Sequence, residues 1–151
     1  MSLSSSAMAV MPAATGTTTA DAPMKVAILP KEIVSEDYQP ITDPDNVERF
    51  LKDYFADIPL MTKIAKCESH NRHYDSTGAV LKGEKTPLDR GVMQINLYYH
   101  GETAKKLGID LNTIDGNVAY ARYLYEKSGA QPWMSSSPCW SKFASPEVAK
   151  R

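Results

Sequence analysis

The chain has 151 residues, of which 42% are hydrophobic and 23% charged, enough for one domain with a buried core and too few for two packed domains. Its 17 basic and 18 acidic residues give a formal net charge of -1, which argues against the broad basic surface of a nucleic-acid or anionic-membrane binder. No apolar run approaches the roughly 20 residues that span a bilayer. We therefore expect neither a nucleic-acid partner nor a membrane span.

Residues 1–40 are expected to form a flexible N-terminal tail or the remnant of a leader. The first 24 residues are mostly Ser, Ala, Thr, Gly, Pro and Met, a composition that does not build a core. The stretch Ala7–Ala14 is barely apolar and no basic segment precedes it, so a truncated export signal and a simple tail both stay open. The proline-containing residues 25–44 favour an extended lead-in to the domain.

Two amphipathic helices are predicted next. Hydrophobic residues recur at helical spacing across Val47–Ile58, which is typical of a helix with one buried face. Asp43, followed by a proline, is a candidate N-cap, and Pro59 marks where this helix stops or bends. A second helix is expected from Pro59 to near Ser69.

The helical period is lost over residues 70–90, and the glycines there predict a small β-hairpin or an irregular flap. A short helix over Tyr99–Leu107 should follow, with Gly108 ending it in the left-handed conformation. A long helix is then expected between an Asn112 or Thr113 cap and Gly129. The sequence thus predicts a mainly α-helical domain with a small β flap.

Glu68 is a candidate general acid. It lies four residues after Ile64, so it shares a helix face with apolar neighbours, whereas a solubilising glutamate would point away. Burial against apolar side chains disfavours the charged form of a carboxyl group and keeps it protonated for donation to a leaving oxygen. Taken alone this position is weak evidence, because most glutamates on helix faces are solvated or ion-paired.

Cys67 and Cys139 are too few for a disulfide-dense miniprotein or a four-thiolate zinc site. The residues alone leave two alternatives, a single bridge that closes a long loop or a pair of reduced, buried thiols. The sequence contains no metal-type cluster of His and Cys residues. We therefore expect no metal, and no organic cofactor is implied.

A specific combination of motifs points to one family. Ile64–Ser69 (IAKCES) is followed about twenty residues later by Asp89–Asn96 (DRGVMQIN), then by Asn117–Ala121 (NVAYA) and Trp133–Trp140. Across roughly residues 45–140 the chain resembles the lysozyme-like superfamily, most closely the bacterial lytic transglycosylases of the soluble SLT-domain type. The resemblance implies an α+β lysozyme-like fold with its flap beside an active-site cleft.

The resemblance also implies a function and a domain organisation. The transglycosylase domain would occupy residues 41–145, followed by a C-terminal tail at 146–151. Its partner would be the glycan strands of peptidoglycan, in which the family cleaves the MurNAc–GlcNAc β-1,4 bond and leaves 1,6-anhydro-MurNAc ends. Such a protein is exported to the periplasm, cell wall or medium. The oligomeric state stays open, with a monomer favoured.

Site residues carry over from the family motifs. Glu68 matches the catalytic acid/base, Ser69 the serine associated with holding the substrate, and Tyr120 a groove tyrosine. Gly91 permits close approach of backbone or sugar, and amide side chains suit N-acetyl and hydroxyl groups. The alternative is that the amides stabilise turns and that Met93 is core. The expected substrate-binding set is Ser69, Gly91, Met93, Gln94, Asn96, Asn117 and Tyr120.

Asp89 is the second catalytic candidate, because it resembles the aspartate that precedes a similar stretch in animal-type lysozymes. Facing Glu68 across a cleft, it would stabilise an oxocarbenium-like transition state or act as a nucleophile. A surface ion pair with Arg90 is the alternative. A lysozyme-type muramidase, which hydrolyses the bond, and a non-catalytic peptidoglycan-binding or assembly protein on the same scaffold are therefore alternative functions.

One family feature is missing from the sequence. Many of these transglycosylases carry a late Ala-Tyr-Asn segment whose tyrosine hydrogen-bonds the catalytic glutamate. Here the tyrosine partner is either Tyr120 or missing. The implied location outside the cytoplasm favours a Cys67–Cys139 bridge, since disulfides persist there. His70 and His73 are expected as exposed flap residues. The rings available as sugar platforms are Tyr98, Tyr99, Tyr120, Tyr123, Trp133 and Trp140, of which Trp140 is expected in the core.

Overall fold

The structure, a computed structural model, describes residues 32–144. This part of the chain is mainly α-helical with a small two-stranded antiparallel sheet, which confirms the coarse fold class predicted from the sequence. The helices are α1 (Pro44–Tyr54), α2 (Pro59–Ser69), α3 (Leu97–Lys106), α4 (Ile114–Ser128) and α5 (Ser137–Trp140). The strands are β1 (Asp89–Arg90) and β2 (Ile95–Asn96), and short 3-10 helices span Ser35–Tyr38, Gln131–Ser136 and Ser141–Phe143.

Polar side chains cap three of the helices. Asp43 accepts a hydrogen bond from the backbone of Asp45 at the start of α1, as predicted. Thr113 caps α4 by accepting from the backbone of Gly116. Helix α3 begins at Leu97 and not at the predicted Tyr99, because the side chain of Asn96 caps it. Each cap pairs a backbone N–H that the helix itself leaves without a partner.

The segment between α2 and β1 is the irregular flap that was one of the two predicted alternatives. Two isolated bridges, Tyr74 with Val80 and Lys82 with Arg90, tie it together. Regular pairing is confined to β1 and β2, in which Asp89 lies opposite Asn96. The flap therefore delivers Asp89 to a short antiparallel ladder next to the end of α2.

The core lies among α1, α2 and α4. Apolar side chains at helical spacing turn inward from each helix, and fully burying one of them stabilises the fold by roughly 1.5–3 kcal/mol. Completely buried members include Phe50, Leu51, Phe55, Met61, Ile64, Val118 and Ala121. No helix among residues 32–144 is long and apolar enough to cross a membrane.

The domain begins earlier than the sequence suggested. Ser35 is buried, and its backbone N–H and hydroxyl both donate to the carboxylate of Asp115 in α4. The hydroxyl of Tyr38 donates to Asp53 in α1 at 2.6 Å. Residues 32–40, which we assigned to the flexible tail, therefore pack on the helices. The remainder of that tail, residues 1–31, and the predicted C-terminal tail at 146–151 lie outside the described residues.

A disulfide joins Cys67 in α2 to Cys139 in α5, with the two Cα atoms 6.0 Å apart. The bridge that the family resemblance favoured is thus present. It closes a loop of 72 positions, for which the chain-entropy model gives a stabilisation of about 4 kcal/mol. Because Cys67 precedes Glu68, the bridge fixes the C-terminal segment against the end of α2.

Buried polar contacts hold the turn between β1 and β2. Asn117 is fully buried; its Oδ1 accepts from the backbone of Met93, and its Nδ2 donates to the carbonyl of Arg90. His73 is only 1% exposed, so its predicted exposure on the flap is wrong. Its Nδ1 accepts from the backbone of Val92 and its Nε2 lies 2.9 Å from the carbonyl of Asn112. These partners require the neutral ring with the proton on Nε2.

Gly91 illustrates how tightly this turn is built. Its φ is 68°, and a Cβ atom added to it would lie 2.4 Å from Cε1 of His73. Gly108 has a similar φ of 70° but open space around the same position. Gly91 therefore allows its backbone to pack closely against the buried imidazole ring of His73, and this contact takes the place of the predicted approach to a sugar.

We predict that Gly91→Ala destabilises the protein more than Gly108→Ala. Both variants incur the positive-φ penalty of about 1–2 kcal/mol, and the clash with His73 adds about 1–3 kcal/mol at Gly91 alone. Urea unfolding of the two variants and the wild type measures the difference. Equal losses in the two variants would show that His73 does not confine Gly91.

Candidate active site

A cleft with a volume of about 220 Å³ opens between the end of α2, the β1–β2 ladder, the start of α3 and the segment before α5. Four of the predicted site residues line it, namely Glu68, Asp89, Gln94 and Asn96. The cleft thus combines two carboxyl groups with two amides. Other lining residues include Tyr99, His100, Trp133 and Ser135.

Glu68 is half-buried in the wall of this cleft. Burial raises the pKa of its carboxyl group, a hydrogen bond from Ser136 opposes that rise, and the negative charge of Asp89 adds to it. The net effect is a carboxyl group that keeps its proton to a higher pH than an ordinary glutamate. This is the property that a general acid needs near neutral pH.

Ser136 contacts the acid directly, with its Oγ 2.5 Å from Oε1 of Glu68. Trp140 Nε1 donates to the same Oγ at 3.0 Å, and the carbonyl of Trp133 lies 3.0 Å from it. The indole of Trp133 in turn donates to the carbonyl of Met93. Two buried tryptophans therefore fix the hydroxyl that holds Glu68.

Ser136 was not predicted from the sequence, which left either Tyr120 or no residue in the role of the family's tyrosine partner. Tyr120 is instead buried, with its hydroxyl 3.3 Å from Nδ1 of His100. Serine carries no motif of its own, and the only local signal was its position between two tryptophans and near Cys139. Burial of Trp140 in the core was predicted and is observed.

Asp89 lies on the same cleft as Glu68. Its Oδ1 accepts from Nδ2 of Asn96 at 2.7 Å, so its partner across the ladder orients the carboxylate. The Arg90 guanidinium donates to the backbone carbonyls of Pro87 and Asp89. Among residues 32–144 no ion pair between Arg90 and Asp89 is present, which argues against the surface-pair alternative.

Four expected substrate contacts lie behind the cleft wall and do not face it. They are Ser69, Gly91, Met93 and Asn117, and all are buried. The Ser69 hydroxyl lies 2.8 Å from the carbonyl of Val92, which links the end of α2 to the turn after β1. Because their polar atoms are used in these internal contacts, we assign the four residues to positioning the wall and not to binding a sugar.

Gln94 and Asn96 stay at the cleft surface. Nε2 of Gln94 donates to the carbonyl of Gly91 at 2.9 Å, which orients the amide at the rim. Tyr99 is the aromatic ring of α3 that lines the cleft, and it is 73% exposed. Tyr98 packs edge-on against it, with ring centroids 5.1 Å apart. Tyr99, and not Tyr120, is therefore the tyrosine available to the groove.

Comparison of the chain with protein-family models, curated proteins and solved structures found no match. Among residues 32–144 no group of three His, Cys, Asp or Glu side chains is arranged to hold a metal ion.

The free energy of unfolding of Glu68→Gln, relative to that of the wild type, should increase as the pH rises. The raised pKa means that the folded wild type binds more protons than the unfolded chain, so its stability falls from about pH 4 upward. The glutamine variant lacks this loss. Urea unfolding of both proteins between about pH 4 and about pH 7 measures the difference.

Glu48→Gln provides the matched control, because its effect on stability should change with pH in the opposite direction. A hydrogen bond with Lys52 lowers the pKa of Glu48, so ionised Glu48 adds stability that is present above the pKa of an unfolded glutamate and lost on acidification. Removing it should therefore cost more as the pH rises. If Glu68→Gln, like Glu48→Gln, costs more stability as the pH rises, the raised pKa of the Glu68 carboxyl group is contradicted.

Proposed function

We propose that the protein is a peptidoglycan lytic transglycosylase with a lysozyme-like arrangement of helices and flap. The proposal depends on one observation: the carboxyl group of Glu68 is half-buried at the wall of an open cleft, and its pKa is raised. Its Oε1 is held by Ser136, and among the described residues no hydrogen bond reaches Oε2. That oxygen is available to a substrate.

Cleavage would proceed in two proton transfers through Glu68. The protonated carboxyl group donates to the glycosidic oxygen as the bond from that oxygen to C1 of MurNAc breaks. The resulting carboxylate then accepts the proton of the MurNAc 6-hydroxyl while its oxygen bonds to C1 and closes the 1,6-anhydro ring. Glu68 ends protonated, so one acid/base completes the cycle.

The rest of the cleft supports a sugar substrate. After their internal hydrogen bonds with described residues, Gln94 and Asn96 each keep one amide N–H, and Gln94 keeps its Oε1 as an acceptor. Such groups suit the N-acetyl and hydroxyl groups of a sugar. Tyr99 offers an exposed ring, and the apolar face of a sugar packs well on such a surface. An uncharged glycan backbone also fits a chain whose formal net charge is only -1.

A muramidase is the second candidate, favoured by the position of Asp89. A carboxylate on the same cleft, oriented by Asn96, is suited to stabilise positive charge at C1 while water attacks. The two reactions use the same acid and differ only in the nucleophile. Their products therefore distinguish them.

Export is part of the proposal, because peptidoglycan lies outside the cytoplasm. The Cys67–Cys139 disulfide is consistent with that location, since oxidising compartments preserve such bridges. The proposed partner is the glycan strand of the wall.

Mass spectrometry of purified sacculi after digestion tests the function. We expect soluble fragments with 1,6-anhydro-MurNAc ends from the wild type, and a loss of at least about a hundredfold in their rate of release from Glu68→Gln, because general acid catalysis contributes that much or more. Asp89→Asn should slow release less, since its carboxylate takes no proton in the transglycosylase pathway.

The products and variants separate the alternatives. Reducing MurNAc ends in place of anhydro ends would identify a muramidase, and Asp89→Asn should then be nearly as damaging as Glu68→Gln. Sacculi that bind the wild type but release no fragments would identify a non-catalytic glycan-binding protein. Release that Glu68→Gln leaves unchanged would overturn the catalytic assignment.

A further inference from the structure

We infer that Ser136 is the positioning residue of the proposed acid, because its hydroxyl can hold Oε1 of Glu68 in one place while the carboxyl group loses and regains its proton. The inference rests on the proposed function, to which it adds a residue that the resemblance did not supply. Its basis is the number and kind of hydrogen-bond partners around one hydroxyl group.

The Ser136 hydroxyl has three neighbours and can donate one hydrogen bond while accepting two. Trp140 Nε1 can only donate to it, and the Trp133 carbonyl can only accept from it; both lie 3.0 Å from Oγ. Oε1 of Glu68, at 2.5 Å, is the partner that can either accept or donate. The hydroxyl can therefore reverse its role toward Glu68: it keeps Trp140 Nε1 as a donor in both states, and its single hydrogen goes either to Oε1 or to the Trp133 carbonyl.

Both protonation states of Glu68 can then be satisfied. When the carboxylate is ionised, Ser136 donates to Oε1 in a charge-assisted hydrogen bond, and the Trp133 carbonyl keeps Trp140 Nε1 as a donor at 3.0 Å. When Oε1 carries the proton, it donates to Ser136, whose own hydrogen turns to the Trp133 carbonyl. With the proton on Oε2, facing a leaving group, Ser136 again donates to Oε1.

The hydroxyl is held firmly enough to act in this way. The Cys67–Cys139 disulfide fixes the segment that carries Ser136 against the helix that carries Glu68. Both flanking tryptophans are buried. Outer contacts of this kind set the position and basicity of the group they hold. A hydroxyl group that can both donate to and accept from Glu68 suits a residue that acts first as an acid and then as a base.

Ser136→Ala tests the inference, with Ser141→Ala as the matched control on an exposed serine of the same segment. In Ser136→Ala, kcat for fragment release should fall by about tenfold to a hundredfold, which is the rate equivalent of a hydrogen bond to a charged group. KM should change little, since no sugar contact is removed. Ser136→Thr, which keeps a hydroxyl, should recover most of the rate.

The pH profile gives a readout that a merely structural role would not move. Ser136 lowers the pKa of Glu68, so its loss should shift the basic limb of kcat/KM to higher pH. The other titratable groups on the cleft are Asp89 from β1 and Tyr99 and His100 from α3. Ser141→Ala leaves all of them in place and should reproduce the wild-type profile.

A substrate-free measurement separates this inference from the proposed function. The measurement is a titration of the ¹³C-labelled Glu68 carboxyl group, whose signal is assigned by its absence in Glu68→Gln. The midpoint pH should rise in Ser136→Ala and stay at the wild-type value in Ser141→Ala and Ser136→Thr. An unchanged or lowered midpoint in folded Ser136→Ala would overturn the inference. If Ser136→Ala does not fold, Ser136→Thr becomes the test. A wild-type rate of fragment release and a wild-type titration midpoint of Glu68 in Ser136→Thr would support the inference, and a departure of both from the wild-type values would overturn it. A wild type that releases no fragments, alongside the expected upward shift, would overturn the function alone.

Discussion

The carboxyl group of Glu68 lies where the end of α2 meets the segment Trp133–Trp140, and withdrawing it from water costs free energy that surrounding contacts must offset. A disulfide, one serine hydroxyl and two buried indole rings supply those contacts. The C-terminal segment is thus more than the end of the fold. It forms the surface that partly removes this carboxyl group from solvent, and its Ser136 contacts only one of the two carboxyl oxygens, Oε1.

The opposite wall depends on the buried polar side chains around the turn between β1 and β2. Asn117 and His73 pair the backbone groups of that turn, and Gly91 lets the imidazole approach it closely. Buried polar groups that are fully paired specify one arrangement, because an unpaired group in the core is costly. They therefore place Asp89 and Asn96 at the rim, where the ladder holds them opposite each other.

Local patterns predicted where the longer helices lie, although α1 ends at Tyr54 and the predicted pattern continued to Ile58. Long-range contacts of polar residues, by contrast, left little trace in the sequence. Hydrophobic spacing and the caps at Asp43 and Thr113 define α1 and α4 because both signals act within a few residues. The burial of His73 and the pairing of Ser136 with Glu68 join segments far apart in the chain, and no spacing rule encodes them. The Cys67–Cys139 bridge was favoured by a family resemblance, since the cysteines alone left the alternatives open.

We propose that the glycosidic oxygen of a peptidoglycan strand meets the side chain of residue 68 in this cleft. The most direct measurement is a crystal structure of Glu68→Gln with a bound MurNAc–GlcNAc tetrasaccharide. We expect a bridging oxygen between MurNAc and GlcNAc within hydrogen-bond distance, about 3 Å, of the amide at residue 68, with a sugar ring against Tyr99. A saccharide bound away from the cleft, or one whose bridging oxygens all lie beyond reach of that amide, would contradict it.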